Sequence, residues 1–401
     1  MQYERYIPPS ICNLGDLKKL DLSRNELTGT IPSCIFNLQA LTHLDLSQNY
    51  FQGKIPHRVH FGIDSDPEIS VTLNLSNNNL HGPLPVPPQN SYLFDLSNNK
   101  FSGEISMEAG LRLSGAKYVS LSGNKLVGSI PSTFCRKDNY SKPSLSDIDL
   151  SNNQLSGPIP SSVGNCLLLE SLNLGWNNIS GNVPNELGHA TRLTIILLND
   201  NNLNGSFPNL RKLQNLEFLN LGKNNFGGNR KLEDVTNSGD PEHTFDVAYQ
   251  LKMVIKETIV QFKQLHSYSS GIDLSCNILE GNIPEAIGLL KGVSMLNLSY
   301  NHLSGRIPHN VGYMTGTHFD TLSLDGSAFA GNNLLCGFPT QNSCESEQND
   351  ATGSEEDDQQ DASEAEDAKE RFLFYSIVAL GGKLTGHSYV DTLLENPTGF
   401  I

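Results

Sequence analysis

Leucines alternate with polar residues in short runs that recur down the chain. Each run leads into an asparagine, then a second leucine, a glycine and a proline. The first complete run is Leu20, Leu22, Asn25, Leu27, Gly29, Ile31 and Pro32, and the last is Leu296, Leu298, Asn301, Leu303, Gly305, Ile307 and Pro308. The marker asparagines are Asn25, Asn49, Asn78, Asn99, Asn124, Asn153, Asn177, Asn201, Asn224, Asn277 and Asn301, which makes eleven repeats. Most gaps are 23–25 residues, two are 29, one is 21 and one is 53. A fixed period near 24 residues predicts a solenoid, because one such coil can bury its apolar side only against its neighbours.

Each position in the run has a mechanical reading. In Leu44-Asp45-Leu46 the period of two turns both leucines inward from a short strand and leaves Asp45 and Ser47 facing out. Strands of neighbouring coils then stack into one parallel sheet on the concave side. The asparagine turns inward where the strand ends, and its buried amide must bond backbone groups of its own and the adjacent coil. Eleven such amides predict a ladder along the solenoid. Gly53 permits a backbone conformation closed to other residues, and Pro56 fixes φ at the turn to the convex side. The Gly-x-apolar-Pro ending holds in nine of eleven repeats; Ser106 replaces the proline after Gly103, and an interruption begins after Gly228. The fold class expected is an α/β-type repeat solenoid, a right-handed superhelix with its parallel sheet on the concave face.

The departures from the period give the domain organisation. Residues 1–19 form a partial first repeat without an N-terminal cap, so Ile7, Ile11 and Leu14 are expected to be poorly covered. Repeats one to nine occupy 20–228, an island insertion 229–270, and repeats ten and eleven 271–317. Within the island, Tyr249 to Val260 reads as a strand. Residues 318–344 read as a C-terminal cap, and the spacing of Cys336 and Cys344 suits a disulfide that closes it. Residues 345–370 hold twelve acids against Lys369 and are expected to be disordered. In 371–401, Phe372 to Leu380 is apolar but far shorter than the ~20 residues a bilayer span needs, and Lys383, His387 and Asp391 interrupt the residues beyond it. It reads as a partial transmembrane segment and tail. No apolar leader comes after the polar Met1–Tyr6 stretch.

Net charge is −16, of which the 345–370 stretch supplies −11. No basic stripe exists to neutralise phosphates, so a nucleic-acid partner is not expected. Cys12, Cys135 and Cys166 fall at inward positions and read as buried thiols, while Cys34 and Cys276 fall at more exposed ones and receive no assignment. Asn74, Asn139, Asn178, Asn204 and Asn297 begin Asn-x-Ser sequons; with the cysteine cap they point to the secretory route. Eleven histidines are scattered without metal-ligand spacing. The Asp/Ser pairs Asp21/Ser23, Asp45/Ser47 and Asp149/Ser151 repeat too regularly for a catalytic constellation and read as a solvated structural face. No enzyme activity, metal or cofactor is expected.

The phrases LDLSRNELTGTIP (20–32) and IDLSNNQLSGPIP (148–160), with the cap sequence AFAGNNLLCGFP (328–339), resemble the plant-type extracellular leucine-rich repeat. The order of repeats, island, cap and acidic stretch is similar to that of plant leucine-rich-repeat receptor-like proteins, which have no kinase domain. The resemblance implies a plasma-membrane, extracellular glycoprotein that recognises a peptide or microbial elicitor and signals through a partner receptor kinase in defence or development. Two rivals stand beside it: a soluble inhibitor of a cell-wall hydrolase, similar to polygalacturonase-inhibiting proteins but for the island, and a truncated, non-signalling product that is secreted or never exported. Ligand candidates are the apolar outward residues Trp176, Ile195, Leu197 and Phe218, read either as an interface or as surface covered by the island or by a glycan at Asn178. The island itself contributes Tyr249, Lys252, Lys256 and Glu257, and Tyr300 and His302 offer a docking surface for the partner.

Overall fold

The computed structural model describes residues 5–60, 70–88, 90–136, 143–206, 210, 212–213, 215–227, 271–283, 295–309, 326–340 and 342–344. The island, the acidic stretch and the tail lie outside them, as do Asn139, Tyr249, Lys252, Lys256 and Glu257.

Eleven short strands form one parallel sheet in strict chain order, from Lys19–Asp21 to Met295–Asn297. The inward residue of each strand pairs with its counterpart in the next coil: Leu20 with Leu44, Ile148 with Leu172, Leu172 with Ile196, Ile196 with Leu219. These side chains join one continuous core that also holds the fully buried Phe51, Phe94, Phe101 and Phe226. The sheet runs unbroken across the 53-residue gap, since Phe218 pairs with Gly271 and Leu219 with Ile272.

The asparagines explain why the chain turns where it does. In Asn177, Nδ2 donates to the Leu174 and Gly175 carbonyls of its own coil (3.1 and 3.2 Å) and to Leu150 of the preceding coil (3.1 Å). Its Oδ1 accepts from the Leu155 amide at 2.9 Å, so a 7%-exposed polar group is fully bonded. The same four bonds recur at Asn49, at Asn201 and on to Asn301. The ladder then continues one rung beyond the expected eleven. Asn332, in the cap, donates to Leu298 and Phe329 and accepts from the Leu303 amide. The cap is therefore built as a further coil, closed by the Cys336–Cys344 disulfide.

A second parallel sheet, not expected from the sequence, comes after the asparagine turns on the side of the solenoid. It has eight strands, from Gln52–Gly53 to Asn225–Phe226, and a separate three-stranded sheet continues the pattern from Glu280–Asn282 into the cap at Leu334–Cys336. The repeat glycine lies within it in left-handed conformation, as at Gly53 with φ +92°.

On the convex side most described turns are single 3-10 turns entered through a proline, as at Pro32, Pro160 and Pro184. Where Ser106 replaces that proline, an α-helix forms instead at Met107–Leu113. The Ser106 hydroxyl accepts from the Ala109 amide at 3.1 Å, a side-chain cap that proline cannot provide.

Two sequence expectations about cysteines are corrected here. Cys135 and Cys166 are buried but are not thiols: they form a disulfide with Cα atoms 5.4 Å apart. Cys12 and Cys34 are likewise bonded, at 5.7 Å. Both pairs join consecutive coils, with sequence separations of 31 and 22 residues. Reading each coil by itself missed the pairing, because convex positions of consecutive coils become neighbours only once coils stack. Cys276 is free. The first coil is also corrected in part: Ile7 is 4% exposed and sits in the core, whereas Leu14 is 49% exposed.

Candidate recognition surface

The concave sheet presents two outward columns that flank the inward leucines. The second of them is structural. Asp45, Asp95, Asp149 and Asp273 each accept the backbone amide of the residue two further on, at 2.9 Å in every case. Asn74, Asn173, Asn220 and Asn297 do the same. Ser120 bonds the Ser122 hydroxyl at 3.2 Å. These local bonds are what short Asx and hydroxyl side chains supply at turns. Among the described strands, Leu197 alone puts a side chain without hydrogen-bonding capacity at this position.

The first column is varied. Its central row runs Tyr118, Asp147, Ser171, Ile195, Phe218 across five adjacent strands. At about 4.8 Å per strand the row spans roughly 19 Å. At its apolar end Ile195 and Phe218 are direct neighbours, half-buried, with Leu197 two residues along the same strand as Ile195. At its other end the Tyr92 and Tyr118 rings meet edge to face, centroids 5.3 Å apart, and Lys117 Nζ lies 5.4 and 5.0 Å from the two centroids. The Tyr118 hydroxyl holds the Lys117 ammonium above the usual lysine range. Burial pushes the Asp147 carboxyl up, opposed by a 2.7 Å bond from the Ser146 hydroxyl and reinforced by the negative charge of Glu170. Sequence reasoning missed this aromatic and basic cluster; the available signal was two tyrosines near the strand starts of consecutive repeats, Tyr92 one residue before the Leu93 that pairs with Tyr118.

Asp95 stands out electrostatically. Burial raises its carboxyl to about 6 despite the Ser97 bonds, and the like charges of Asp149 and Asp45 add to the rise.

The other candidates divide. Trp176 is 53% exposed but lies three residues past Asn173, on the turn before Asn177, rather than in the strand row. It adopts φ 52°, a left-handed conformation that costs a non-glycine residue about 1–2 kcal/mol. Its backbone is held by a bond to the Asn199 carbonyl and one from the Asn153 amide. Tyr300 occupies the same kind of turn (φ 54°) at 62% exposure, over Gly331, where an added Cβ would meet the Tyr300 ring at 2.6 Å. His302 is exposed nearby. Among the sequons, Asn178 and Asn204 are exposed, whereas Asn74 is 5% exposed and bonds both Asp45 and Ser76. Asn297 is half-buried with its carbonyl accepting from Ser299. Among the described residues no group of histidine, cysteine and acidic side chains is arranged to hold a metal, and no helix is long and apolar enough to cross a membrane.

Known proteins share this architecture. The family model described as leucine rich repeat matches residues 7–53, and a single-repeat model of the same description matches 71–91, 116–136, 144–166, 168–190 and 293–314. Receptor-like protein 18 of Arabidopsis thaliana is 30% identical over 254 residues, covering 55% of this chain and 30% of that protein. Receptor-like protein 32 of the same plant is 37% identical over 118 residues, 26% of this chain and 13% of that one. The chain carries leucine-rich repeats and is similar to plant receptor-like proteins. Its match spans less than a third of the length of these curated relatives. Receptor-like protein EIX2 of Solanum lycopersicum is 36% identical over 67 residues, 17% of this chain and 7% of that protein. Among solved structures, a plant peptide hormone receptor, RGFR1 in complex with RGF2, superposes with a TM-score of 0.49 at 26% identity, over 82% of this chain and 57% of that one. A plant ice-binding protein gives 0.46 at 23% identity, over 85% and 80%.

Proposed function

We propose that this chain is the reading surface of a cell-surface receptor-like protein, binding an extended peptide along the concave row from Tyr118 to Phe218 and acting through a partner receptor kinase. The observation that carries the reading is the break at Leu197. Every neighbouring strand spends that position on a turn-stabilising polar group, and this strand spends it on a half-buried apolar side chain beside Ile195 and Phe218. Giving up a local hydrogen bond of about 1 kcal/mol for a half-buried leucine makes sense where a ligand covers its remaining surface. An extended chain of about six residues spans the row at ~3.3 Å per residue. Its apolar end lies on Ile195, Leu197 and Phe218, and its polar end among Tyr92, Lys117, Tyr118 and Asp147. Tyr300 and His302, at the capped end, form the docking surface for the partner. The relatives' names support the receptor-like role.

A displayed library of random octapeptides, selected on the immobilised chain, tests this. Enriched peptides are expected to lose at least tenfold in affinity on Ile195→Ser or Phe218→Ser and to keep their affinity on Ile278→Ser, which alters an exposed apolar residue off the concave face. Failure to enrich any peptide, or equal affinity for all variants, contradicts the reading.

A further inference from the structure

The eight-stranded side sheet is charged at one end and neutral at the other. Its last four strands, Gln154–Gly157 to Asn225–Phe226, put forward only glutamine, asparagine and serine. Its first four, Gln52–Gly53 to Lys125–Ser129, put forward His81, Lys100 and Lys125 against a single acid, Glu104. Lys54, just past the first of these strands, joins them. Its stem crosses Gly82, where an added Cβ would meet Lys54 Cγ at 3.1 Å.

These four residues line up. His81 pairs with Lys100 on the next strand, and Lys125 pairs with Ser102, two residues beyond Lys100. Gln52 pairs with Asn79, which sets Lys54 level with His81. Lys54, His81 and Lys100 therefore follow one another at one residue per strand, about 4.8 Å apart. All four are exposed, and none has a hydrogen bond or ion pair among the described residues. The lysine and arginine ion pairs of the described residues lie elsewhere, at Arg5–Glu26, Arg58–Glu108 and Lys223–Asp200. Unpaired cations gathered in a row repel one another, in a chain whose net charge is −16. The row borders a depression of about 470 Å³ lined by Thr30, Gln52, Gly53, Asn79, His81 and Lys100. No basic stripe was visible in the sequence because each of the four comes from a different repeat.

We propose that this row binds a linear acidic polysaccharide, a polyuronate with one carboxylate per sugar, at a site separate from the concave peptide row. Three features select that chemistry. One cation per strand step, about 4.8 Å, is close to the length of one sugar ring, so successive carboxylates meet successive side chains. Thr30, Gln52 and Asn79 supply a hydroxyl and two amides, donors and acceptors for sugar hydroxyls. No aromatic or aliphatic residue lines the depression, so the apolar part of a peptide or lipid gains nothing there.

Calorimetric titration of the full chain with a short oligomer of galacturonic acid, at low ionic strength, tests this. The oligomer is expected to bind, and to bind more weakly as salt is added. Its methyl ester, which keeps the rings and loses the charges, is expected not to bind. Lys54→Ala with Lys100→Ala should lower the affinity at least tenfold and leave the denaturation midpoint unchanged, since both side chains are exposed. Lys18→Ala with Lys19→Ala removes the same charge at the concave edge and should leave the affinity within about twofold. Failure of the full chain to bind, equal losses from the two double variants, equal binding of the ester, or tighter binding of a sulfated glucan overturns the proposal.

Discussion

The two outward columns of the concave sheet share one scaffold and differ in what they do with it. One repeats aspartate or asparagine from coil to coil, each bonded to a backbone amide two residues on. The other changes residue type at every strand: lysine, histidine, threonine, leucine, tyrosine, aspartate, serine, isoleucine, phenylalanine, glycine, methionine. A position fixed by its own coil's hydrogen bonds has no freedom left for a partner. A position with no local duty is free to vary, and the proposed reading surface draws its residues from there. Coil eight is where the two columns stop being distinct, because Leu197 abandons the local bond.

The comparison can be broken at its base by attacking the ladder beneath both columns. Asn177→Ala leaves the buried Leu155 amide without its partner, at about 1–3 kcal/mol, and removes one bond of about 0.5–1.5 kcal/mol from each of the Leu150, Leu174 and Gly175 carbonyls, which keep bonds from Asn153, Asn201 and the Asn152 amide. A loss of stability on the order of 3–5 kcal/mol is expected in denaturant titration, against less than about 0.5 kcal/mol for the outward Ser171→Ala. Next in size, Cys135→Ala with Cys166→Ala removes a 31-residue closure and should lower stability by about 2–4 kcal/mol, with the concave row still able to bind.

A third change acts within the repetitive column. The folded-state pKa of Asp95 is raised to about 6, so the native state holds its proton more tightly than the unfolded chain does. Stability from this group is therefore full below about pH 4 and is lost as pH rises through about 6. Asn74 and Asn173 already do the same job without charge in equivalent places. Asp95→Asn should raise stability at pH 7 by on the order of 1–2 kcal/mol and flatten the pH dependence of melting between about 4 and 6. The smallest effect belongs to the convex side. Arg58 reaches Glu108 at 2.8 Å across the short third coil, but both are largely exposed, and Glu108→Gln should cost less than about 1 kcal/mol.

Much of this was legible in the residues. The period fixed the parallel sheet, the alternation fixed which leucines are buried, and the asparagines announced the ladder. Ser106 in place of proline was visible as an exception, and it proved to cap the α-helix. Other features were hidden because they depend on stacking between coils. Cys135 and Cys166 looked like separate inward cysteines until consecutive coils brought them to 5.4 Å. Asn332 was obscured by cap sequence that lacks the leucine alternation, although its bonds match those of Asn301. Ile195, Leu197 and Phe218 could be named from the strand pattern alone. The Tyr92, Lys117 and Tyr118 cluster could not, since it takes adjacent strands to bring the two rings to 5.3 Å.

One substitution tests the central claim most directly. Leu197→Asn restores the turn bond made by Asn173 and Asn220 in the flanking strands. If coil eight gave up that bond for recognition, the variant should gain about 0.5–1.5 kcal/mol of stability while losing at least tenfold in affinity for peptides selected on the native chain. A variant that is less stable, or that binds those peptides as tightly as the native chain, contradicts the account.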